Sequence, residues 1–377
     1  MEMKRILSRL ALSAGVFLAL LGGTEVVLRA QGYGAIPSVW FDPEVGTRFH
    51  PGQTRQILAA GGVFMHSAEI NELGFRGHLP DPALDGDGGL RVVCLGDSFT
   101  FGWGVEDGET YPVQLEEALA DLVTARAAGD TGSSGPRSSA VDVEVLNVGL
   151  PGYNTWQEHR LYEKLVRPMK PDVVVLGWYL NDLDPLSYGV TGTLAPLDHP
   201  LAGTALLDYW VRKLRKRAPR FEFEGFDQEG AQEIKPYYDQ NRPLVEHNSG
   251  HPQARPYVER NLADLGALLD DLKADGVTPV LAIFPSVGQV DALKLARADK
   301  PAAEYAADLA IIARIQRDLT EFVAPRGVTV VDLLEPFMDS EVRPYGEVDQ
   351  SHPSVHGYSL GAGKVLEALA TGGLLDR

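Results

Sequence analysis

Cysteine is nearly absent from this chain: Cys94 is the only one in 377 residues. No intrachain disulfide can form, and neither a CxxC redox motif nor a cysteine-rich zinc site is available. Cysteine usage is therefore silent on the compartment. Positive charge is also short, with 34 lysines and arginines against 52 aspartates and glutamates and a formal net charge of −18. This balance argues against nucleic acid as a partner, because phosphate recognition needs a cationic face. It equally disfavours a globular body that adheres to anionic lipid. Internal repeats are missing. What remains is ordinary globular composition, 44% hydrophobic and 23% charged, in a length that suits one large domain or two small ones.

One long apolar run stands out, at the amino terminus. Lys4, Arg5 and Arg9 precede a stretch from Leu10 to Leu28 broken only by small residues and Glu25. As a helix this stretch spans about 28 Å, close to the hydrocarbon thickness of a bilayer. Basic residues ahead of the run imply a cytoplasmic start and an exported remainder. A cleaved signal peptide needs a small-x-small site, and Gly22-Gly23-Thr24-Glu25 is a poor one. An uncleaved anchor needs only that Glu25 reach water near the outer interface. The expectation is an anchor, with signal cleavage and a secreted or periplasmic product as the alternative, and a buried domain helix as a third reading. The chain then divides into an anchor or signal segment (1–30), an amino-terminal extension (31–89) and a main domain (90–377).

The extension has few periodic signals. It contains the turn-rich segment Asn71-Glu72-Leu73-Gly74-Phe75-Arg76-Gly77, and a Gly/Asp/Pro-rich loop over Asp81–Gly89. Beyond it, short apolar runs alternate with helical patterns. Strands are expected at Arg91–Leu95, Val141–Leu146, Asp172–Leu176, Thr278–Phe284 and Val328–Val331. Unbroken runs such as Val173-Val174-Val175-Leu176 suit strands buried on both faces of a parallel sheet. Thr110 and Pro112 open a helix carrying Leu115, Leu119 and Leu122. Thr155 with Glu158 is a capping-box candidate ahead of Leu161 and Leu165. Val258, Leu262, Leu265, Leu269 and Leu272 form one stripe closed by Gly276, and Tyr305, Leu309, Ile312, Ile315, Leu319 and Phe322 form another. The alternation predicts an α/β fold, a three-layer α/β/α sandwich with five parallel strands and right-handed crossovers, preceded by a transmembrane helix. Ala125–Ala140 reads as a loop or disordered segment. Residues 185–255 read as a long insertion, with Trp210 and a basic cluster from Arg212 to Arg220 that suits a solvated helix end, a lid or a headgroup contact.

Candidate chemistry falls at strand ends. Ser98 lies in Gly96-Asp97-Ser98-Phe99-Thr100-Phe101-Gly102, directly after Val92-Val93-Cys94-Leu95. Asp349 and His352 lie three apart in Asp349-Gln-Ser-His352-Pro353. Serine, histidine and aspartate supply a hydroxyl nucleophile, its base and the group that orients the base. Each has a plain structural reading: Ser98 as a turn residue, His352 as a cap or core histidine, Asn181 as a loop cap, Asp182 as structural. His356 would need further ligands beside Asp349 and His352 to hold a metal, and the spacing supplies none. His199, His247 and His251 fall in the insertion. Trp103, Trp178 and Tyr153 flank the motifs as pocket walls or as core.

Taken together, Gly96-Asp97-Ser98-Phe99, Gly149-x-x-Gly152-Tyr153-Asn154-Thr155, Asn181-Asp182 and Asp349-x-x-His352-Pro353 resemble the SGNH hydrolases, also called the GDSL family. The four blocks occur in family order over roughly residues 90–184 and 278–370. Phe99 stands where the family often has leucine. The anchor and the segment near Phe75 resemble a membrane-anchored branch. The resemblance implies a flavodoxin-like sandwich and a serine esterase that uses no cofactor and no metal. It implies Ser98 as nucleophile, His352 as base and then acid, and Asp349 as the orienting carboxylate. Ser98 N–H, Gly152 N–H and the Asn181 amide would form the oxyanion hole. The expected substrate is an ester, a small acyl group on a carbohydrate or lipid. An O-acyltransferase acting on an exported polysaccharide is the alternative, and a silent glycan- or partner-binding module is the alternative of another class.

Overall fold

The computed structural model describes residues 2–30, 39–58, 64–85, 89–129, 142–183, 206–207, 209–210, 254–347 and 349–372. A long helix, α1 (Glu2–Ala30), is followed by two antiparallel hairpins. The first pairs β1 (Val39–Asp42) with β2 (Gly46–Phe49), and the second pairs β3 (Gln53–Leu58) with β4 (Phe64–Ile70). Strand β5 (Gly89–Gly96) leads into a four-residue helix, α2 (Ser98–Phe101), and then α3 (Tyr111–Gly129). Next come β6 (Asp142–Gly149), α4 (Thr155–Leu161) and β7 (Val173–Trp178). After the insertion follow α5 (Arg255–Ala274), β8 (Thr278–Ile283), α6 (Val287–Asp299), α7 (Ala302–Ile312), α8 (Arg314–Val323), β9 (Thr329–Asp332), α9 (Leu334–Asp339) and α10 (Val355–Thr371).

The five main-domain strands form one parallel sheet in the order β6-β5-β7-β8-β9. This is the flavodoxin-like order, with a topological switch between β5 and β7 at the carboxyl edge. The unbroken apolar runs are sorted by the pleat. Val93, Leu95, Val174, Leu176, Leu281 and Ile283 enter one core layer, and Val92, Cys94, Val173, Val175, Val280 and Ala282 the other. Period-two alternation thus feeds both helix layers from a sheet that is apolar on both faces. Burial also pushes the Cys94 thiol up to about 12, so this cysteine is packing material rather than a reactive group.

Several local expectations need correction. The extension, with few periodic signals in its sequence, forms hairpins: Val39, Val45, Phe49, Ala68 and Ile70, with Phe75 from the turn after β4, join the same core layer as Val93 and Leu95. Strands as short as these leave too few alternating positions to stand out. The stripe from Tyr305 to Phe322 is two helices broken at Ala313. Tyr305, Leu309 and Ile312 pack on one core layer, whereas Ile315, Leu319 and Val323 belong to the other. The apparent stripe joins two helix faces that serve different layers. The capping box of α4 is Asn154 with Gln157, not Thr155 with Glu158. Thr155 Oγ1 is instead committed to Asp182 Oδ1 at 2.7 Å. Helix α3 runs through Ala125 to Gly129, because the alanines there favour helix. Residues 130–141 and most of the insertion, including its basic cluster and its three histidines, lie outside the described residues.

Helix α1 contains a span, Arg5–Arg29, that is long and apolar enough to cross a membrane. Glu25 meets Arg29 at 2.7 Å, so the one acid in the apolar run is charge-paired near its end.

Candidate active site

The site begins with three glycines. Gly96, Gly149 and Gly177 lie in register across β6, β5 and β7. A Cβ on Gly149 would come within 2.1 Å of Phe101 N, and one on Gly96 or Gly177 within 2.3 Å of Thr100 Oγ1. The bare shelf lets α2 sit directly on the strand ends. Asp97 caps that helix, accepting from Phe99 N at 2.8 Å, and Gly102 closes it with φ +85°, a conformation that favours glycine. Ser98 is therefore the first residue of a turn held at both ends.

His352 arrives from the other end of the chain. Its loop is tied by Gly346 N to His352 O and by Ser354 N to Pro344 O, both at 2.9 Å. Tyr345 and Pro353 form a bridge, and the Tyr345 hydroxyl donates to Pro285 O at 2.9 Å. Ser98 Oγ and His352 Nε2 lie 2.8 Å apart, and His352 Nδ1 lies 2.8 Å from Asp349 Oδ2. The tautomer that satisfies both contacts carries its proton on Nδ1 and accepts from the serine hydroxyl. Asp349 Oδ1 accepts from Ser351 N at 3.0 Å and from Ser351 Oγ at 2.5 Å. Burial pushes the Asp349 carboxyl up, but the bond from His352, its charge and the Ser351 donors outweigh it and hold the carboxyl well below the usual carboxylate range. The His352 and Asp349 side chains are 17% and 23% exposed, so the chain of contacts is open to an incoming molecule. The rings of Phe99 and Trp103 flank the imidazole, with centroids 5.2 and 6.0 Å away.

The remaining expected site residues converge on the same edge. Gly152 follows β6 with φ +79°, and Asn181 follows β7. Leu150 N donates to Gly96 O at 2.9 Å, which seats the loop after β6 against the end of β5. Asn181 Nδ2 donates to Tyr153 O at 3.0 Å, which ties the loops after β7 and β6 together. The Asn181 amide thus holds the loops together and also hydrogen-bonds the Asp97 carboxyl. Asp182 is structural: it accepts from Thr155 Oγ1 and, at 2.8 Å, from Tyr179 N. Asn261 of α5, which sequence reading did not single out, donates to Thr155 Oγ1 at 2.7 Å and to Asp182 O at 3.0 Å. It also accepts from Trp178 Nε1 at 3.1 Å. No local motif marks Asn261, because its role depends on where α5 docks.

Of the flanking aromatics, Trp178 and Tyr153 are buried core residues, and Trp103 is part-exposed beside the imidazole. Phe99 is fully buried and stacks on Tyr179 with centroids 3.9 Å apart, so the departure from leucine fills the space beneath the turn. His356 lies apart from Asp349 and His352 in role, with its Nε2 2.8 Å from Ser340 Oγ.

Three buried carboxyls share this region. Burial pushes Asp97 up to about 6, against the opposing effects of the Phe99 amide, His352 and Asn181. Burial and the neighbouring Asp97 push Asp182 well up. Burial, then Asp182 and Asp97, do the same to Glu158, whose Oε1 has no hydrogen-bond partner. Like charges removed from water oppose one another's ionisation.

Comparison with known proteins agrees with the motifs. Residues 94–360 match the sequence profile of the GDSL-like lipase/acylhydrolase family. Among curated proteins, none matches this sequence significantly. Solved structures similar to this chain include a putative lipolytic protein of the G-D-S-L family from Desulfitobacterium hafniense DCB-2, at 14% identity and a TM-score of 0.40, covering 74% of this chain and 99% of that one. They include the acetyl xylan esterase AlAXEase, at 15% identity and 0.40, covering 74% and 100%. They also include the psychrotrophic esterase EstA from Pseudoalteromonas sp., at 12% identity and 0.35, covering 76% and 99%. With the profile spanning most of the sheet and every motif block, the chain belongs to the GDSL-like lipase/acylhydrolase family and is a hydrolase of that kind.

Proposed function

We propose that the protein is a serine esterase that works through an acyl-enzyme on Ser98. The observation that carries this reading is the unbroken line from Ser98 Oγ to His352 Nε2 and from His352 Nδ1 to Asp349, with both contacts at 2.8 Å. As Ser98 Oγ attacks the ester carbonyl carbon, its proton passes to His352 Nε2. The carbonyl π pair moves onto oxygen, giving a tetrahedral oxyanion. Ser98 N–H, Gly152 N–H and the Asn181 side-chain amide are the donors assigned to that oxygen; they sit on three adjacent strand ends. Fixed donors of this kind act without reorganising at the moment of reaction. The oxyanion collapses, the bond to the alcohol oxygen breaks, and His352 returns the proton to that oxygen. Water then repeats the sequence on the acyl-enzyme, releasing the acid and restoring Ser98. Asp349, held ionised, keeps the proton on Nδ1 and stabilises the imidazolium.

The substrate assigned is an ester bearing a small acyl group, on a carbohydrate or lipid. The catalytic domain is placed outside the cytoplasm, tethered by α1. The apolar span with basic residues ahead of it supports that topology. A fluorophosphonate probe tests the chemistry. It is expected to label wild type and not Ser98→Ala, and well-folded wild type that stays unlabelled rejects the esterase.

A further inference from the structure

The segment Asn71–Gly77 belongs to the extension, yet it reaches the nucleophile turn. Asn71 N bonds to Phe75 O at 2.7 Å and Gly77 N to Glu69 O at 3.0 Å, and Ile70 bridges Arg76. The chain therefore doubles back on β4. Gly74 makes the bend at φ +82°, and a Cβ there would come within 2.9 Å of Phe49 O. Phe75 anchors the bend in the core. The charged side chain this turn delivers inward is Arg76, which is only 2% exposed.

All five guanidinium hydrogens have acceptors. Nη1 donates to Phe101 O at 3.0 Å and Gly102 O at 2.7 Å. Nη2 donates to Val105 O at 2.8 Å and Ser67 O at 3.1 Å. Nε donates to Asp107 Oδ1 at 2.6 Å, and the cation lies over the Phe101 ring at 5.0 Å. Three of those carbonyls belong to the residues that follow Ser98. They lie at the end of α2 and along the loop that carries Trp103; Phe101 O also accepts from Asn147 Nδ2 at 3.3 Å, and Gly102 O and Val105 O are left to the guanidinium. A second tie meets them there: Tyr358, on the helix after His352, donates to Trp103 O at 3.1 Å. The edge of β4 is docked on the same loop, with Ser67 N and Glu69 N donating to Glu106 Oε2 at 3.2 Å and Asp107 Oδ2 at 3.1 Å.

The structure assigns Arg76 as the positioning residue of the Ser98 turn, so that the extension is a working part of the active site rather than a spacer above the membrane. This rests on the reading of Ser98 as the nucleophile. A planar fork satisfies several carbonyls at fixed angles, which a lysine ammonium cannot reproduce. Loss of the fork leaves buried carbonyls unpaired and frees the turn to shift, and a shift of about 1 Å at a reacting group costs roughly a hundredfold in rate.

The test uses the full-length chain in detergent, p-nitrophenyl acetate as ester and a fluorophosphonate probe. Arg76→Ala is expected to lower kcat and the labelling rate roughly a hundredfold, and Arg76→Lys about tenfold, with KM nearly unchanged. Methylguanidinium is expected to restore labelling of Arg76→Ala, and methylammonium is not. If Arg76→Ala fails to fold, Arg76→Lys carries the test. Wild-type kcat and labelling in Arg76→Lys, or a change confined to KM, overturns the assignment. Amide hydrogen exchange over residues 98–105 reads the clamp without turnover, and is expected to quicken about tenfold or more in Arg76→Lys. Unchanged exchange there overturns the clamp even if wild type proves unreactive to the probe, which would instead sink the esterase reading.

Discussion

The two ends of β5 carry opposite kinds of buried charge. At the amino end Arg91 lies opposite Glu144 of β6 in the parallel register. The guanidinium bonds to Glu144 and Met169 O, to Asp85 Oδ1 at 2.8 Å and to Asp81 O at 2.6 Å. The buried cation there faces the carboxylates of Glu144 and Asp85. At the carboxyl end Asp97, Asp182 and Glu158 are buried with carboxylate neighbours, and Glu158 Oε1 has no partner. The first end spends its charges on holding strands together. The second gathers buried carboxyls held by neutral donors near a serine and an imidazole. Poorly compensated burial collects where chemistry is done, because groups held in fixed but unsatisfied settings are the ones whose protonation can be used.

The comparison can be broken most sharply at the carboxyl end. Ser98→Ala and His352→Ala are each expected to lower ester turnover by about a thousandfold or more, and the double variant scarcely further, because the two act as a unit. Their thermal unfolding should stay near wild type, measured by circular dichroism; a large drop in stability would erase the distinction between the ends. At the amino end the expected pattern reverses. Arg91→Ala leaves Glu144 buried without its cation and should cost about 3–5 kcal/mol in urea unfolding, while kcat per folded molecule is unchanged.

Asp97→Asn sharpens the contrast by pH. The carboxyl is raised from its ordinary value to about 6, so the folded state binds the proton more tightly than the unfolded chain. Its ionised form therefore costs stability above about pH 6, and the cost fades as pH falls toward about 4. Asparagine keeps the acceptor for Phe99 N without the charge. The variant should gain up to about 3 kcal/mol at pH 8 and nothing at pH 4, read from unfolding curves at both. A gain independent of pH would show that charge burial is not the cause. The smallest effect is expected for Tyr153→Phe. The Tyr153 hydroxyl is buried with no hydrogen-bond partner, so its removal should change stability by less than about 1 kcal/mol, toward stabilisation.

Much of this arrangement is legible one segment at a time. Continuous apolar runs bounded by turns mark β5, β7 and β8 as strands covered on both faces, and the intervening stripes mark the helices. The Asp349–His352 contact is written in three residues of spacing, because a turn alone brings those side chains together. The apolar span of α1, too, is a property of composition. These features survive as sequence patterns because the interactions that produce them are local.

Other features appear only when distant segments meet. Ser98 and His352 are 254 residues apart, and their 2.8 Å contact is set by how α10 packs on α3 and β9 and by the ties of Tyr345 to Pro285 and Tyr358 to Trp103. Arg76 reads as one charge in a turn-rich stretch until the hairpin docks and its fork meets the carbonyls of Phe101, Gly102 and Val105. The break at Ala313 is invisible in a stripe whose two halves face different layers. Sequence periodicity by itself determined which faces are apolar and which residues stand at strand ends. Only the packing of layers decided which of those faces and ends touch, since contacts between remote segments depend on the sum of many side-chain volumes rather than on any short run of residues.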